Sequence, residues 1–278
     1  MQHLKEAYIE TIVPVSDEWG EVVIALLSEL GYEGFEEGNA EVKAYRPANT
    51  FDAEGLAAKL GQLPIELGAI RHNSLEAQNY NQLWETAYES IEVGTFCQIV
   101  PSFKEPKPGF THTLRIDPQM SFGTGHHETT RLVIQHLSQI DCEGISVLDM
   151  GCGTGVLGIL AAKMGANSVL GIDIDPWSYE NARENVKLNQ VGQMNVRKGD
   201  RELIPDQTFD LLLANINRNV LLADMATYAQ HLSKAGQLIV SGFLESDERS
   251  LERAMQAVGL TPTARLAEGQ WLSIRCTN

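Results

Sequence analysis

Basic side chains are scarce in this sequence. Its 21 Lys and Arg stand against 37 Asp and Glu, a formal charge of −16. It therefore lacks the clustered cations that grip a phosphate backbone, and direct nucleic-acid binding is not expected. Cysteine is equally thin. Cys97, Cys142, Cys152 and Cys276 show no paired spacing, which argues against a disulfide framework or a zinc site and fits the reduced thiols of a cytoplasmic protein. No apolar run approaches the roughly 18 residues of a spanning helix. The opening MQHLKEAYIE has no basic stretch ahead of an apolar one, so neither a membrane span nor a secretory segment is expected. What is present is ordinary globular material, 43% hydrophobic and 21% charged. A chain of 278 residues is near two domains on a length prior of roughly 150 residues each. The acid is unevenly spread: residues 1–72 hold 13 acidic and 5 basic side chains, a net of −8, half of the total. Such a surface suits a basic partner, because opposite charge speeds encounter.

Two patterns follow one another along the chain. In residues 1–72, YIETIVPV (8–15) has the composition of a strand, and Ser16 and Asp17 supply a helix start. Trp19, Val22, Val23, Leu26, Leu27 and Leu30 then recur at three- and four-residue spacing, an amphipathic helix that Gly31 would end. YEGFEEG and AEVKAYRP predict a hairpin, Asp52 opens a short helix carrying Leu56 and Leu60, and PIELGAIRH predicts a last strand. The order β-α-β-β-α-β is the α+β ferredoxin-like arrangement. It has no catalytic spacing and by itself would be a binding module. Residues 73–92 are polar, lack either pattern and are expected to form a linker, partly helical around Trp84. From 93 to 278 the runs VLDM, SVLGID, MNVRKGD, FDLLLAN and QLIVSGF alternate with helical stretches. That alternation predicts a doubly wound, mostly parallel α/β sheet, with ligands at the carboxyl ends of its strands.

Those strand ends carry the candidate chemistry. In VLDMGCGTGVLG, Gly151, Gly153 and Gly155 allow a tight turn and close approach to a ligand just before a helix. Cys152, inside this loop, is expected to be a small filler rather than a nucleophile. Gly153, Gly155 and Gly158 also satisfy G-x-G-x-x-G, with Asp173 lying 20 positions beyond Gly153, so a nicotinamide dinucleotide is one alternative. Against it stands Asp149, whose carboxylate would repel a pyrophosphate but suits S-adenosylmethionine, a ligand with an ammonium, a sulfonium and no phosphate. Asp173 is placed to accept from ribose hydroxyls, and Asp175 before Pro176 is an N-cap pattern. Asp200 could meet an adenine amino group or cap a turn. The fourth run ends on Asn215, Ile216 and Asn217, where Asn217 is expected mainly to cap the following helix. In FGTGHHETT, His126, His127 and Glu128 lack the i, i+4 spacing of helical metal ligands. No metal is expected there; a loop folding over the cofactor is, with a helix starting near Thr129 and Thr130.

Together VLDMGCGTG, GIDID and ANIN resemble a class I S-adenosylmethionine-dependent methyltransferase. SFGTGHHETTRLVI, LLLANINRNVLL and the small acidic front domain narrow the resemblance to the PrmA type, bacterial methyltransferases of large-subunit ribosomal protein eleven. The resemblance covers essentially the whole chain, residue-specific from 121 to 220 and a matter of element order before 75. It implies a seven-stranded catalytic domain over 93–278 and a front domain that holds the ribosomal protein. It further implies cofactor contacts from Thr130, Gly151, Asp173 and Asn215, with Phe122 closing over them; Asp149 and Gly153 join this set from the loop itself. The acceptors expected are amino groups, lysine side chains and the N-terminal amine included, in a cytoplasmic monomer. Another acceptor on the same fold is the main alternative.

Amine methylation needs a neutral nucleophile. A free lysine with a pKa of about 10.4 must give up ~4.6 kcal/mol to lose its proton at pH 7. The Asn215 side-chain oxygen and the Ile216 backbone carbonyl could hold such an amine without the carboxylate that would trap its ammonium form. ANIN sits where other amino-methyltransferases carry Asn/Asp-Pro-Pro-aromatic. No aromatic follows here to stack a flipped base, which again points away from nucleic acid.

Overall fold

A computed structural model describes residues 7–38, 40–65, 67–75, 89–117, 123 and 125–278. The chain divides into two compact units, Met1–Tyr88 and Glu89–Asn278.

The first unit contains β1 (Tyr8–Pro14), α1 (Asp17–Glu29), β2 (Gly34–Gly38), β3 (Glu41–Pro47), α2 (Ala53–Leu60) and β4 (Arg71–Leu75). Its sheet has the order β2-β3-β1-β4 with every pairing antiparallel, which is the ferredoxin-like topology read from the sequence. Val23 and Leu27 of α1 and Leu56 and Leu60 of α2 are buried against Val13, Val42 and Ala44 of the sheet. The apolar stripe of α1 is narrower than its sequence suggests, because Val22 faces outward. The Asp52 carboxylate caps α2 by accepting from the Gly55 amide. The last strand departs from expectation. PIELGAIRH is not a strand until Arg71, and β4 runs on to Leu75, past the expected boundary at 72. Pairing with β1, from Ile12↔Arg71 to Tyr8↔Leu75, makes this edge strand. Ile65, Leu67 and Ile70 pack on the core from the connection before it, so their apolar pattern does not report strand. The expected linker helix around Trp84 lies outside the described residues, and the ends of 73–92 are taken up by β4 and by β5 (Ile91–Val93).

The second unit opens with a small sheet that the sequence had not disclosed, β5, β6 (Cys97–Val100) and β7 (His112–Arg115). There follow α3 (Glu128–Leu137), β8 (Ser146–Met150), α4 (Val156–Lys163), β9 (Ser168–Asp173), α5 (Pro176–Asn189), β10 (Met194–Lys198) and β11 (Phe209–Asn215). The unit ends with α6 (Arg218–Gln230), β12 (Leu232–Leu244), α7 (Glu248–Ala257), β13 (Thr261–Glu268) and β14 (Trp271–Thr277). Strands β8 to β14 form one seven-stranded sheet in the order β10-β9-β8-β11-β12-β14-β13, parallel except for the antiparallel β14. This is the doubly wound class I methyltransferase topology that the resemblance implied. The β11 residues show why so apolar a strand is needed: Leu211 and Leu213 join the core on one face, Leu212 and Ala214 that on the other. A strand covered on both faces cannot alternate apolar with polar, and each buried leucine contributes ~1.5–3 kcal/mol of apolar burial. Strand order reverses between β8 and β11, and such a switch point leaves a crevice at the carboxyl ends. Among the described residues no helix is long and apolar enough to cross a membrane.

Candidate active site

The glycine loop leaves β8 at Gly151 and enters α4 at Val156. Gly151, Gly153 and Gly155 all have positive φ, at 65°, 55° and 80°, a region costly for any residue with a Cβ. Gly151 is further constrained, since a Cβ there would lie 2.1 Å from Ile216 Cγ2. The loop is therefore packed directly on the segment that ends β11. Cys152 is buried, and burial, with Asp149 and Asp173 adding to it, raises its thiol well above the usual range. It is the filler expected, without a thiolate to offer.

Two carboxylates brace the loop. Asp173 at the end of β9 accepts from the Gly153 amide at 2.8 Å and from the Asp175 amide at 2.9 Å, and each oxygen keeps a further lone pair for a ligand hydroxyl. Asp149 lies beneath the loop. It is 1% exposed and its Oδ2 accepts from the Gly158 amide at 2.9 Å. Gly158 lies in the first turn of α4, whose N-cap Gly155 has no side chain to offer, so Asp149 satisfies an orphan helix amide from below. Burial pushes its pKa up to about 7, against the lowering effect of the Gly158 amide and helped by the charge of Asp173.

The end of β11 meets the start of α3. Thr130 is fully buried, and its hydroxyl accepts from Asn215 Nδ2 at 3.4 Å. The other amide atom, Asn215 Oδ1, is buried and has no hydrogen-bond partner among the described residues. An unpaired buried acceptor costs about 1–3 kcal/mol and calls for an explanation. Ile216 follows, its amide donating to the Ser241 carbonyl at 3.2 Å. Gly242 (φ 92°) sits in a bulge of β12 against the Ile216 backbone, and a Cβ there would be 2.3 Å from the Ile216 oxygen. Asn217 is the N-cap of α6, with Oδ1 accepting from Val220 and its main-chain oxygen from Leu221. Asp175 caps α5 through the Ser178 amide, with Pro176 in the first turn, and Asp200 caps a short 3₁₀ turn through the Glu202 amide.

Four of the expected residues thus form a continuous chain of contact, Thr130–Asn215–Ile216–Gly151, and a second contact joins Gly153 to Asp173. Phe122 lies outside the described residues. The helix expected to start near Thr129 and Thr130 has His127 as its N-cap, Nδ1 accepting from the Thr129 amide. His127 also stacks edge-on against Trp271 at 4.5 Å, and Arg131 pairs with Glu268 at 2.6 Å, tying this helix start to the β13–β14 hairpin. Among the described residues no group of three or more His, Cys, Asp or Glu is placed to hold a metal.

The family model for ribosomal protein L11 methyltransferase (PrmA) matches residues 13–278. The chain belongs to the PrmA family. It is 41% identical over 262 residues to a ribosomal protein L11 methyltransferase of Porphyromonas gingivalis, covering 92% of this chain and 90% of the relative. The corresponding protein of Phocaeicola vulgatus is 36% identical over 279 residues, 99% of both chains. The crystal structure of a ribosomal protein L11 methylase from Lactobacillus delbrueckii subsp. bulgaricus superposes with a TM-score of 0.64 at 31% identity, covering 68% of this chain and 98% of that one. PrmA enzymes are S-adenosylmethionine-dependent methyltransferases, and the nicotinamide alternative falls away. The residues present fit that cofactor. The loop has no Lys or Arg for a phosphate, and Asp173 and Asn215 Oδ1 are acceptors suited to hydroxyl and ammonium donors.

Sequence reasoning missed one feature of this PrmA site. Asn181, Asn185 and Asn189 are buried on one face of α5 and bond the backbone of Arg115, Asp117 and Thr154. Asparagine is a poor helix former, so three at four-residue spacing in ENARENVKLN were a legible signal.

Proposed function

We propose that the enzyme methylates amino groups of large-subunit ribosomal protein L11, lysine side chains and the N-terminal amine among them. The buried Asn215 Oδ1 carries this reading. It is an acceptor at the carboxyl end of the central strand, aligned by Thr130 and lacking a donor among the described residues. Bound S-adenosylmethionine supplies an electrophilic methyl group on a sulfonium. Thr130, Gly151, Gly153, Asp173 and Asn215 hold it, and the Asp149 carboxylate complements its positive charge from beneath the loop. Asn215 Oδ1 and the Ile216 carbonyl accept the hydrogens of the incoming amine and aim its lone pair. Neither bears the full negative charge that would stabilise ammonium, so they favour the neutral nucleophile.

A basic ribosomal protein suits a chain of charge −16 whose first 72 residues carry −8. The first unit, bounded at about residue 72 in sequence and extended to Leu75 by β4, is the recognition module, and residues 93–278 form the catalytic domain. The enzyme acts as a cytoplasmic monomer and does not bind nucleic acid directly. The test is the intact mass of purified L11 after incubation with enzyme and S-adenosylmethionine. Additions in whole multiples of one methylene are expected, and fragmentation places them. An unchanged mass, with cofactor binding intact by calorimetry, would discard L11 as the acceptor.

A further inference from the structure

The asparagines of α5 do two different jobs. Asn189 Oδ1 accepts from the Arg115 amide at 2.9 Å and its Nδ2 donates to the Arg115 carbonyl at 2.6 Å, closing the open edge of β7 as a neighbouring strand would. Asn181 Nδ2 donates to the Asp117 carbonyl at 3.2 Å. Asn185, 1% exposed, accepts from the Asp117 amide at 3.0 Å and donates to the Thr154 carbonyl at 3.0 Å. Thr154 belongs to the glycine loop, is fully buried, and donates its hydroxyl to the Gly123 carbonyl at 2.6 Å. The Asp117 backbone is independently fixed, because its carboxylate accepts from the Ser102 amide at 2.6 Å and hydroxyl at 2.8 Å. Asn185 is thus a strut from an anchored point of the chain to the loop.

We infer that Asn185 is a positioning residue for the glycine loop, setting the Thr154 peptide, and through it Gly153 and Gly155, for S-adenosylmethionine. It touches neither cofactor nor substrate. A loop whose glycines sit at positive φ has alternatives to populate, and a strut that removes them strengthens binding by preorganisation. Asn189 has no bond to the loop among those described, so it keeps the same helix packed without sharing that role. The inference rests on the loop being the S-adenosylmethionine site.

The experiment compares full-length wild type, Asn185→Ala and Asn189→Ala by calorimetric titration with S-adenosylmethionine and by thermal unfolding. Both variants lose buried hydrogen bonds and both should melt earlier. Only Asn185→Ala should weaken cofactor binding, by about tenfold for the loss of one aligned bond to the loop, while Asn189→Ala stays within about twofold of wild type. Equal affinities in the two variants would overturn the inference and leave the site assignment standing. Failure of wild type to bind S-adenosylmethionine would overturn the site assignment itself. If Asn185→Ala does not fold, amide exchange on wild type decides. Saturating cofactor should slow exchange of the Asp117 amide, which bonds Asn185, and leave that of the Arg115 amide, which bonds Asn189. Unchanged Asp117 exchange would refute the strut.

Discussion

Replacing Gly242 by alanine tests the catalytic geometry without altering any side chain at the site. Gly242 lies in the β12 bulge at φ 92°, where a Cβ would stand 2.3 Å from the Ile216 oxygen, 2.7 Å from its carbonyl carbon and 3.0 Å from its nitrogen. All three are backbone atoms and cannot swing aside. Ordinary contact begins at 3.4 Å, so the Ile216 peptide must retreat by about 1 Å, and a 1 Å misplacement near reacting groups costs about 100-fold in rate. The left-handed backbone adds about 1–2 kcal/mol against alanine, which lowers Tm by about 2–8 °C at ~2–4 °C per kcal/mol in a unit of this size. Steady-state methylation of L11 should therefore show kcat reduced about 100-fold in a protein that remains folded by circular dichroism, with S-adenosylmethionine affinity changed much less. A folded Gly242→Ala enzyme with wild-type kcat would remove the Ile216 carbonyl from the mechanism.

Asn215→Ala removes the side-chain acceptor and should lower kcat by about 100-fold. Asn215→Asp should move the rising limb of the pH–rate profile to higher pH, because a carboxylate there stabilises the ammonium; an unmoved profile would sink the neutral-amine argument. His136 is buried in α3 and donates to the Ser273 carbonyl, and burial holds its pKa down at about 4 from 6.5. Its folded pKa lies below the unfolded one, so it contributes stability above pH 6.5 that is lost as pH falls towards 4, ~3 kcal/mol in all. Urea unfolding across that window should slope less for His136→Gln than for wild type. Asp149, raised by burial to about 7, works in the opposite sense, with the fold favouring its protonated form and losing stability as pH rises from 3.8 to 7. A cationic ligand over the loop favours the ionised form, so binding at pH 6 to 7 should release a fraction of a proton. Calorimetry in buffers of different ionisation enthalpy should detect that release in wild type and not in Asp149→Asn.

The residues around the glycine loop were legible because their chemistry is local. A strand, three glycines and a helix start lie within a dozen positions of one another, and Asp173 is at a fixed spacing beyond them. FDLLLANIN was legible for a related reason: the short apolar run from Leu211 to Ala214, between polar residues, fits a strand buried on both faces, which puts its polar end at the crevice. The Asp52, Asp175 and Asn217 caps needed no more than their neighbours in sequence. Sequence alone thus determined the parallel sheet and brought forward most of the candidate residues at its strand ends.

Tertiary structure decided what depends on residues far apart in the chain. Asp149 reads in the sequence as a ligand contact; packing adds a second task, turning its Oδ2 to the Gly158 amide because an uncapped helix start lies directly above it. Arg71 to Leu75 became a strand through pairing with β1, although its own side chains are mostly exposed. Gly242 reads as an ordinary strand glycine until the Ile216 backbone is found against it. The Asn215 amide gained an orientation only when Thr130, 85 positions earlier, closed on it. Local sequence carries propensity and caps, whereas the facing of one buried polar group toward another is set by packing, and that is where this site acquires its geometry.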